Sequence, residues 1–335
     1  MRTLLSWSLF LLLSFLGSCD LFLGNNTDKN EAKDEHPELT DVTNKISEDP
    51  KNPMLYVARS RMYHQLKQDS LAIIDLKKAI QLDSSKSEYH SALGQILFDH
   101  KDVSGSVPYF QKAIELNPND EVSHLKMAKV FLFTAEYPKA FIEINTVLRA
   151  NVYNPEAYFL KGMCYKNMKD TAKAISSFQT AVQTDPKFSD GYMQLALIHE
   201  ARKSPLALQY FENAFKADPE NMEALYGQGM YWQKQEKYEE AKKVYRRMIG
   251  LNPGFAKSYY NTGWILLQQD SADRALRQFD LAIKNQPDYG DAWFNKGICL
   301  ELLEKPTEAQ SAYEQAGVFL NHPPKVNEAL QRVKQ

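Results

Sequence analysis

The sequence predicts an all-α protein, a superhelical solenoid of about eight stacked helix pairs with a capping helix at each end. Three observations carry that expectation. The stretch Pro155 to Pro186 holds Tyr158, Gly162, Tyr165, Ala174, Phe178, Ala181 and Pro186, and the same order of residue types returns about every 34 residues. Small residues recur opposite bulky ones at helical spacing. Proline, or a substitute for it, closes each copy. One copy is too small to bury its own apolar face, so the copies must stack.

The chain has 335 residues and a formal net charge of −2, which gives no sign of a nucleic-acid binder or a highly charged tail. Its first 18 residues carry one cation, Arg2, and an apolar run from Leu4 to Leu16. That run is shorter than the roughly 20 residues of a membrane span and suits the core of a signal peptide. Leu16-Gly17-Ser18-Cys19 at its end resembles a bacterial lipobox. The resemblance implies cleavage before Cys19 and acylation of its thiol, giving a lipoprotein of the bacterial cell envelope. The outer membrane is preferred, with the body facing the periplasm or the cell surface, although Asp20 is compatible with either membrane. Residues 19–36 are then a lipidated, largely acidic tether whose polar composition cannot bury enough surface to fold.

Residues 37–52 are expected to form an N-terminal capping helix with Leu39, Val42 and Ile46 on one face. Eight units follow over residues 53–321, starting near Pro53, Ser87, Glu121, Pro155, Ser189, Met222, Ala256 and Gly290. A small residue lies on each first helix: Ser60, Gly94, Ala128, Gly162, Ala196, Gly229, Gly263 and Gly297. A second small row, Ala72, Ser106, Ala140, Ala174, Ala207, Ala241, Ala275 and Ala309, lies on each second helix. Four residues beyond it stands a bulky filler: Leu76, Phe110, Ile144, Phe178, Phe211, Tyr245, Phe279 or Tyr313. Small against large lets two helices approach and still fill the space between them. Pro118, Pro186, Pro219, Pro253 and Pro287 end second helices, with Ser84, Val152 and Asn321 in the same place elsewhere. The fifth unit is one residue short around Lys203-Ser204-Pro205. Residues 322–335 read as a C-terminal capping helix.

These rows resemble the tetratricopeptide repeat. The resemblance implies antiparallel helix pairs, a right-handed superhelix, and a concave groove lined by the first helices that binds protein segments without catalysis. In such arrays the fifth and ninth residues of each unit contribute to the groove. Here they are polar or mixed in the first three units (Val57, Arg61, Ser91, Gln95, Leu125, Lys129). From the fourth unit onward they become apolar, and the candidate peptide-binding residues are Phe159, Met163, Leu197, Tyr226, Met230, Tyr260, Trp264 and Phe294. An apolar lining with methionine suits a helix or an extended peptide. The alternative use of these side chains is packing between neighbouring first helices. Asn261 and Asn295 occupy amide positions of the carboxylate-clamping subset of such repeats, but the preceding Lys and Asn pair is missing.

The sequence offers no catalytic motif, metal set or cofactor loop. His90 and His124 stand where other units carry aromatics and read as packing residues. Cys164 and Cys299 sit four units apart, too far for a disulfide, and read as small buried hydrophobes. Lys242, Lys243, Arg246 and Arg247 read as a solvated outer face. Asp69-Ser70, Asp170-Thr171 and Asp270-Ser271 fall in turns between paired helices and read as N-caps, with a glycosylation sequon as the alternative. The expected function is a non-catalytic scaffold that binds a peptide or helix of an envelope protein, anchored to the membrane by lipid, with no nucleic-acid partner. Homodimerisation through a terminal unit is compatible with it. The alternative is a glycan- or nutrient-uptake lipoprotein, against which the lack of long insertions counts.

Overall fold

The computed structural model describes residues 36–321 and 323–333. The expected signal peptide, Cys19 and all but the last residue of the expected tether therefore lie outside the described residues. The chain divides into two compact units, residues 1–51 and 52–335. In the first, α1 (Pro37–Glu48) opens on proline, whose missing N–H costs nothing at a helix start, and its buried positions are Val42 and Ile46.

The second unit is a run of helix pairs. They are α2 (Pro53–Gln65) with α3 (Asp69–Leu82), α4 (Ser87–Asp99) with α5 (Val103–Leu116), and α6 (Glu121–Phe133) with α7 (Tyr137–Ala150). Next come α8 (Pro155–Asn167) with α9 (Thr171–Thr184), α10 (Ser189–Ala201) with α11 (Leu206–Ala217), and α12 (Met222–Lys234) with α13 (Tyr238–Leu251). The last pairs are α14 (Ala256–Gln268) with α15 (Ala272–Asn285), and α16 (Gly290–Leu302) with α17 (Pro306–Phe319), followed by a single helix, α18 (Pro324–Val333). Each second helix packs both on its own first helix and on the first helix of the next pair. In this way every core surface is shared between neighbours. The final helix takes the place of a ninth first helix: Val326 and Ala329 are buried against Leu300, Tyr313 and Ala316.

The small and bulky rows meet as the spacing requires. All eight fillers, from Leu76 to Tyr313, are at most 1% exposed. A Cβ added at Gly162 would lie 2.6 Å from the Phe178 ring, and one at Gly229 would lie 2.4 Å from Tyr245. At Gly94, Gly263 and Gly297 the intruded rings are Phe110, Phe279 and Tyr313. The glycines are thus sites of ring-to-backbone contact, and none of them has a positive φ.

The turns inside the pairs are equally regular. One residue in each has a left-handed backbone: Lys67, Lys101, Ala135, Lys169, Lys203, Glu236, Asp270 and Glu304. The residue after it donates its N–H back to the carbonyl five residues earlier, as in Asp170 to Tyr165 at 2.9 Å and Glu136 to Phe131 at 2.8 Å. The left-handed residue bonds three back, as in Lys169 to Lys166 at 3.0 Å. This double closure satisfies the last free carbonyls of the first helix. The shortened fifth unit keeps it, with Ser204 bonded to His199 at 2.9 Å. The missing residue comes instead from α11, which has 12 residues where each other second helix has 14.

The turns between pairs are closed by Asp or Asn as well as by proline. Asp83, Asn117, Asn151, Asp185, Asp218 and Asn252 each accept the N–H two residues on, at 2.9 to 3.1 Å. That closure explains why the first and third units stop without proline at Ser84 and Val152. Of the three Asp-Ser/Thr turns expected to cap, only Asp170 does so, accepting from the Lys173 N–H at 3.1 Å. Asp270 is the left-handed residue of its turn, and Asp69 is already helical and accepts from His64 Nδ1 at 2.6 Å. Those two positions correct the reading of all three as N-caps.

Two substitutions in the fourth pair test this scheme with opposite signs. Gly162→Leu would force the side chain into the Phe178 ring and should cost about 1–3 kcal/mol. Lys169→Gly would remove the left-handed Cβ penalty and should stabilise by about 0.5–1 kcal/mol. Urea unfolding of both variants measures the two shifts.

Candidate binding groove

The candidate residues all lie on the first helices α8 to α16, where the repeat geometry aligns successive units along one wall. Phe159, Met163, Tyr226, Met230, Tyr260, Trp264 and Phe294 are half-buried, and Leu197 is 40% exposed. The fifth residues lean into the seams between units. The Phe159 ring centroid lies 5.6 Å from that of Phe178 in its own pair and 5.4 Å from Phe188 in the connection to the next. Tyr260 repeats this with Phe279 at 5.8 Å and Tyr289 at 4.8 Å, and its hydroxyl accepts from Asn295 Nδ2 at 3.1 Å. Tyr226 meets Phe255 at 6.3 Å, with the Lys257 ammonium 5.1 Å from its ring. Phe294 packs on Tyr313 at 5.5 Å, under the Lys325 ammonium at 4.7 Å.

The ninth residues differ in support. Met163 packs against two neighbouring core clusters. The Met230 sulfur lies 3.4 Å from the Tyr245 hydroxyl, which donates to Gln233 Oε1 at 2.8 Å, and Trp264 makes an edge contact with Tyr238 at 6.3 Å. Half of each aromatic body is thus held by the core, which fixes its rotamer before any ligand arrives and lowers the ordering cost of binding.

The first units hold a different surface. A hollow of about 410 Å³ opens between α2, α4 and the start of α6, lined by Val57, Ser60, Arg61, Ser91, Gln95 and Asp120 among others. It exists because Ser60, Ser91 and Ala92 are small. Ser91 donates to Asp120 Oδ1 at 3.3 Å and accepts from Ser123 Oγ at 3.2 Å. The sequence marks this half as polar, but its volume depends on three small side chains whose alignment only the stacking reveals.

Other ionic groups brace the pairs. Arg59 forks onto buried Asp75 through Nε at 2.7 Å and Nη2 at 2.8 Å. Removing either partner would leave an uncompensated charge beside the core. His90 and His124 are buried, as the packing reading expects, but both are also hydrogen-bonded. His90 Nε2 lies 3.1 Å from the Ser84 carbonyl. His124 Nε2 lies 3.0 Å from the Pro118 carbonyl, and its Nδ1 lies 2.5 Å from Glu143. Both partners of His124 accept, so the ring must donate twice, as the imidazolium. The hydrogen bond it donates to Glu143 is the main reason its pKa is raised above 6.5. Cys164 and Cys299 are free and buried, and burial pushes their thiols up to about 11 and about 12. Among the described residues no group of three or more His, Cys, Asp or Glu is placed to hold a metal ion. No helix among them is long and apolar enough to cross a membrane.

A chain of helix pairs closed by ring-to-glycine contacts, with one residue row left half-open along a wall, defines a helical repeat array with a binding face. Profiles of the tetratricopeptide repeat match residues 55–86, 87–120, 155–188 and, in overlapping segments, 199–318. The chain belongs to the tetratricopeptide repeat family. Among curated relatives, it is 25% identical to "Anaphase-promoting complex subunit 3" of Schizosaccharomyces pombe, over 67% of this chain and 34% of that protein. It is also 25% identical to "Hsp70-Hsp90 organizing protein 3" of Arabidopsis thaliana, over 72% of this chain and 43% of that one. The chain thus spans less than half the length of either relative. Among solved structures, the C-terminal part of a repeat-containing protein from Cytophaga hutchinsonii superposes with a TM-score of 0.58 at 17% identity, covering 72% of this chain and 99% of the other.

The His124 pair gives a pH test. Because the folded pKa lies above the unfolded value, the pair's contribution is complete below about pH 6.5 and is lost as the pH rises through the raised pKa. Thermal melts from pH 6 to 9 should show a fall in Tm that His124→Gln abolishes.

Proposed function

We propose that this chain is a non-catalytic protein-binding scaffold of the bacterial cell envelope, held at the membrane by acylated Cys19, that takes a peptide or helix along its first-helix wall. The observation that carries the binding role is the unbroken set of preordered, half-open apolar residues over five consecutive units. Phe159, Met163 and Leu197 begin it, Tyr226, Met230, Tyr260 and Trp264 form its middle, and Phe294 ends it. Single exposed apolar residues are ordinary on a soluble surface, but an aligned series supports an interaction face. A partner helix with apolar residues at three- and four-residue spacing, or an extended strand, matches such a row.

The family supports the same reading, as do two relatives whose printed names describe a complex subunit and an organizing protein. The membrane link rests on Leu16-Gly17-Ser18-Cys19 and on the apolar run before it. Two or more acyl chains on one cysteine suffice for stable anchoring, whereas one is marginal. The acidic tether would leave the array room to move relative to the surface.

A two-part experiment tests this reading in a bacterial host. Cys19→Ala should move the protein from the membrane to the soluble fraction. Trp264→Ala with Met230→Ala should strip the partners that crosslink to the wall, while leaving the helical signal unchanged. Partners retained at wild-type strength by the double variant would remove the groove assignment, and turnover by the purified chain would remove the non-catalytic one.

A further inference from the structure

On the side away from the apolar row, one second-helix position changes character along the array. The residue after each second-helix alanine or serine is apolar in six of the eight pairs: Ile73, Val107, Phe141, Ile175, Leu208 and Leu276. In the sixth pair it is Lys242, and in the eighth Gln310. Its counterpart on the next first helix is apolar in three pairs, as Leu93, Met127 and Leu195, and Ile175 shares a cluster with Leu195. Opposite Lys242 that counterpart is Thr262. The counterpart is polar in the third, fifth and seventh pairs too, as Lys161, Gln228 and Lys296, so the change peculiar to this seam is the ammonium of Lys242, which also bonds Gln269 Oε1 at 3.1 Å.

Beside them a cavity of about 300 Å³ lies between α13, α14 and α15, and the fourth unit has a hollow of about 240 Å³ at the matching positions Lys161, Tyr165, Lys173, Ser176 and Ser177, which carry two cations where this one has four. Lys242, Arg246, Arg274 and Arg277 line it, over Ile249 and Leu266. Two of these cations are balanced: Lys242 by Glu239 at 2.7 Å and Arg277 by Asp273 at 3.0 Å. Arg246 and Arg274 make no ion pair among the described residues, although both border the same cavity. Two unbalanced guanidiniums on one small space repel each other, in a chain whose net charge is −2. Their neighbours show the usual remedies, since Lys243 pairs with Glu240 at 2.9 Å and the Arg247 guanidinium sits 4.6 Å from the Phe215 ring centroid.

We propose that this cavity is a binding site for a compact polyanion with at least two phosphoryl groups. Arg246 and Arg274 would grip it from α13 and α15, and Lys242 would supply a further cation. Planar guanidinium forks match phosphate oxygens two at a time. Two arginines on one cavity therefore favour a ligand with two such groups over a single carboxylate. The chemistry is shared by a free oligophosphate and by a bisphosphorylated lipid headgroup.

Calorimetry of the full chain with pyrophosphate at near-physiological salt tests the site, alongside sedimentation with vesicles carrying a bisphosphorylated headgroup. Arg246→Gln with Arg274→Gln should weaken binding about tenfold or more, since it removes two charge-assisted contacts. Lys216→Gln with Lys284→Gln, an equal loss of charge elsewhere, should change it by less than about twofold. Lys242→Leu restores the apolar seam and should raise the Tm while lowering affinity, which separates ligand loss from misfolding. Pyrophosphate binding without vesicle binding assigns the site to a free oligophosphate. Vesicle binding lost in the arginine variant assigns it to a headgroup. Binding of neither probe, or an equal loss in the two charge-matched variants, overturns the proposal.

Discussion

Each pair is held by one contact, an aromatic or branched side chain of the second helix pressed against a small residue of the first, which is glycine in five of the eight pairs. At Gly162 a single methyl group would stand 2.6 Å from the Phe178 ring, closer than van der Waals contact permits. The contact draws the two helices together, and their closeness brings the next unit's first helix into reach of the same second helix. Pair and stack are therefore not independent. Because every second helix serves both, a fault in one pair is passed to its neighbour, as expected for an array whose stability is a sum of unit and interface terms.

The turns complete that constraint through hydrogen bonds. Eight non-glycine residues accept a left-handed backbone because two bonds close over each of them. The penalty of about 1–2 kcal/mol for a Cβ in that conformation is outweighed by carbonyls that would otherwise lack partners. The fifth unit shows which part is rigid. Deprived of one residue, it keeps the double closure at Ser204 and gives up the start of α11 instead. Turn geometry sets where one helix may approach another, whereas a first helical residue can be lost at the cost of a single end bond.

Much of this was legible from residue types alone, and the reason is physical. Gly162, Ala174 and Phe178 do one thing each, and few residue types fit those places, so their order announces the pair. The Asx closure was less legible because the adjacent proline hid it: Asp185 and Pro186 stand together, and only Asp83 and Asn151, which lack a following proline, expose the role of the side chain. Arg59 with Asp75 and His124 with Glu143 were not legible, being 16 and 19 residues apart on faces whose pairing depends on how two helices cross. The apolar row at Phe159 and Tyr260 was visible, but its division between seam and surface was not. That division turns on the rings of Phe188 and Tyr289 in the connections, which no row predicts.

The rows also give a scale against which the rest of the surface can be judged. A residue on a row is explained by packing and carries little information about a ligand, as with buried Tyr245. A residue off every row, such as Lys243, is free to vary and carries little either. Informative positions lie on a row and break it without structural return. Lys242 comes nearest to that description, since its ion pair with Glu239 lies on its own helix, and the first-unit hollow meets it in a weaker form through Ser60 and Ser91. The half-open aromatics are a third kind, satisfying the row with one face and presenting the other. Binding by this array would therefore draw on two distinct resources: aromatic surface held in place by the core along the first helices, and charge concentrated where the core was given up between α13 and α15.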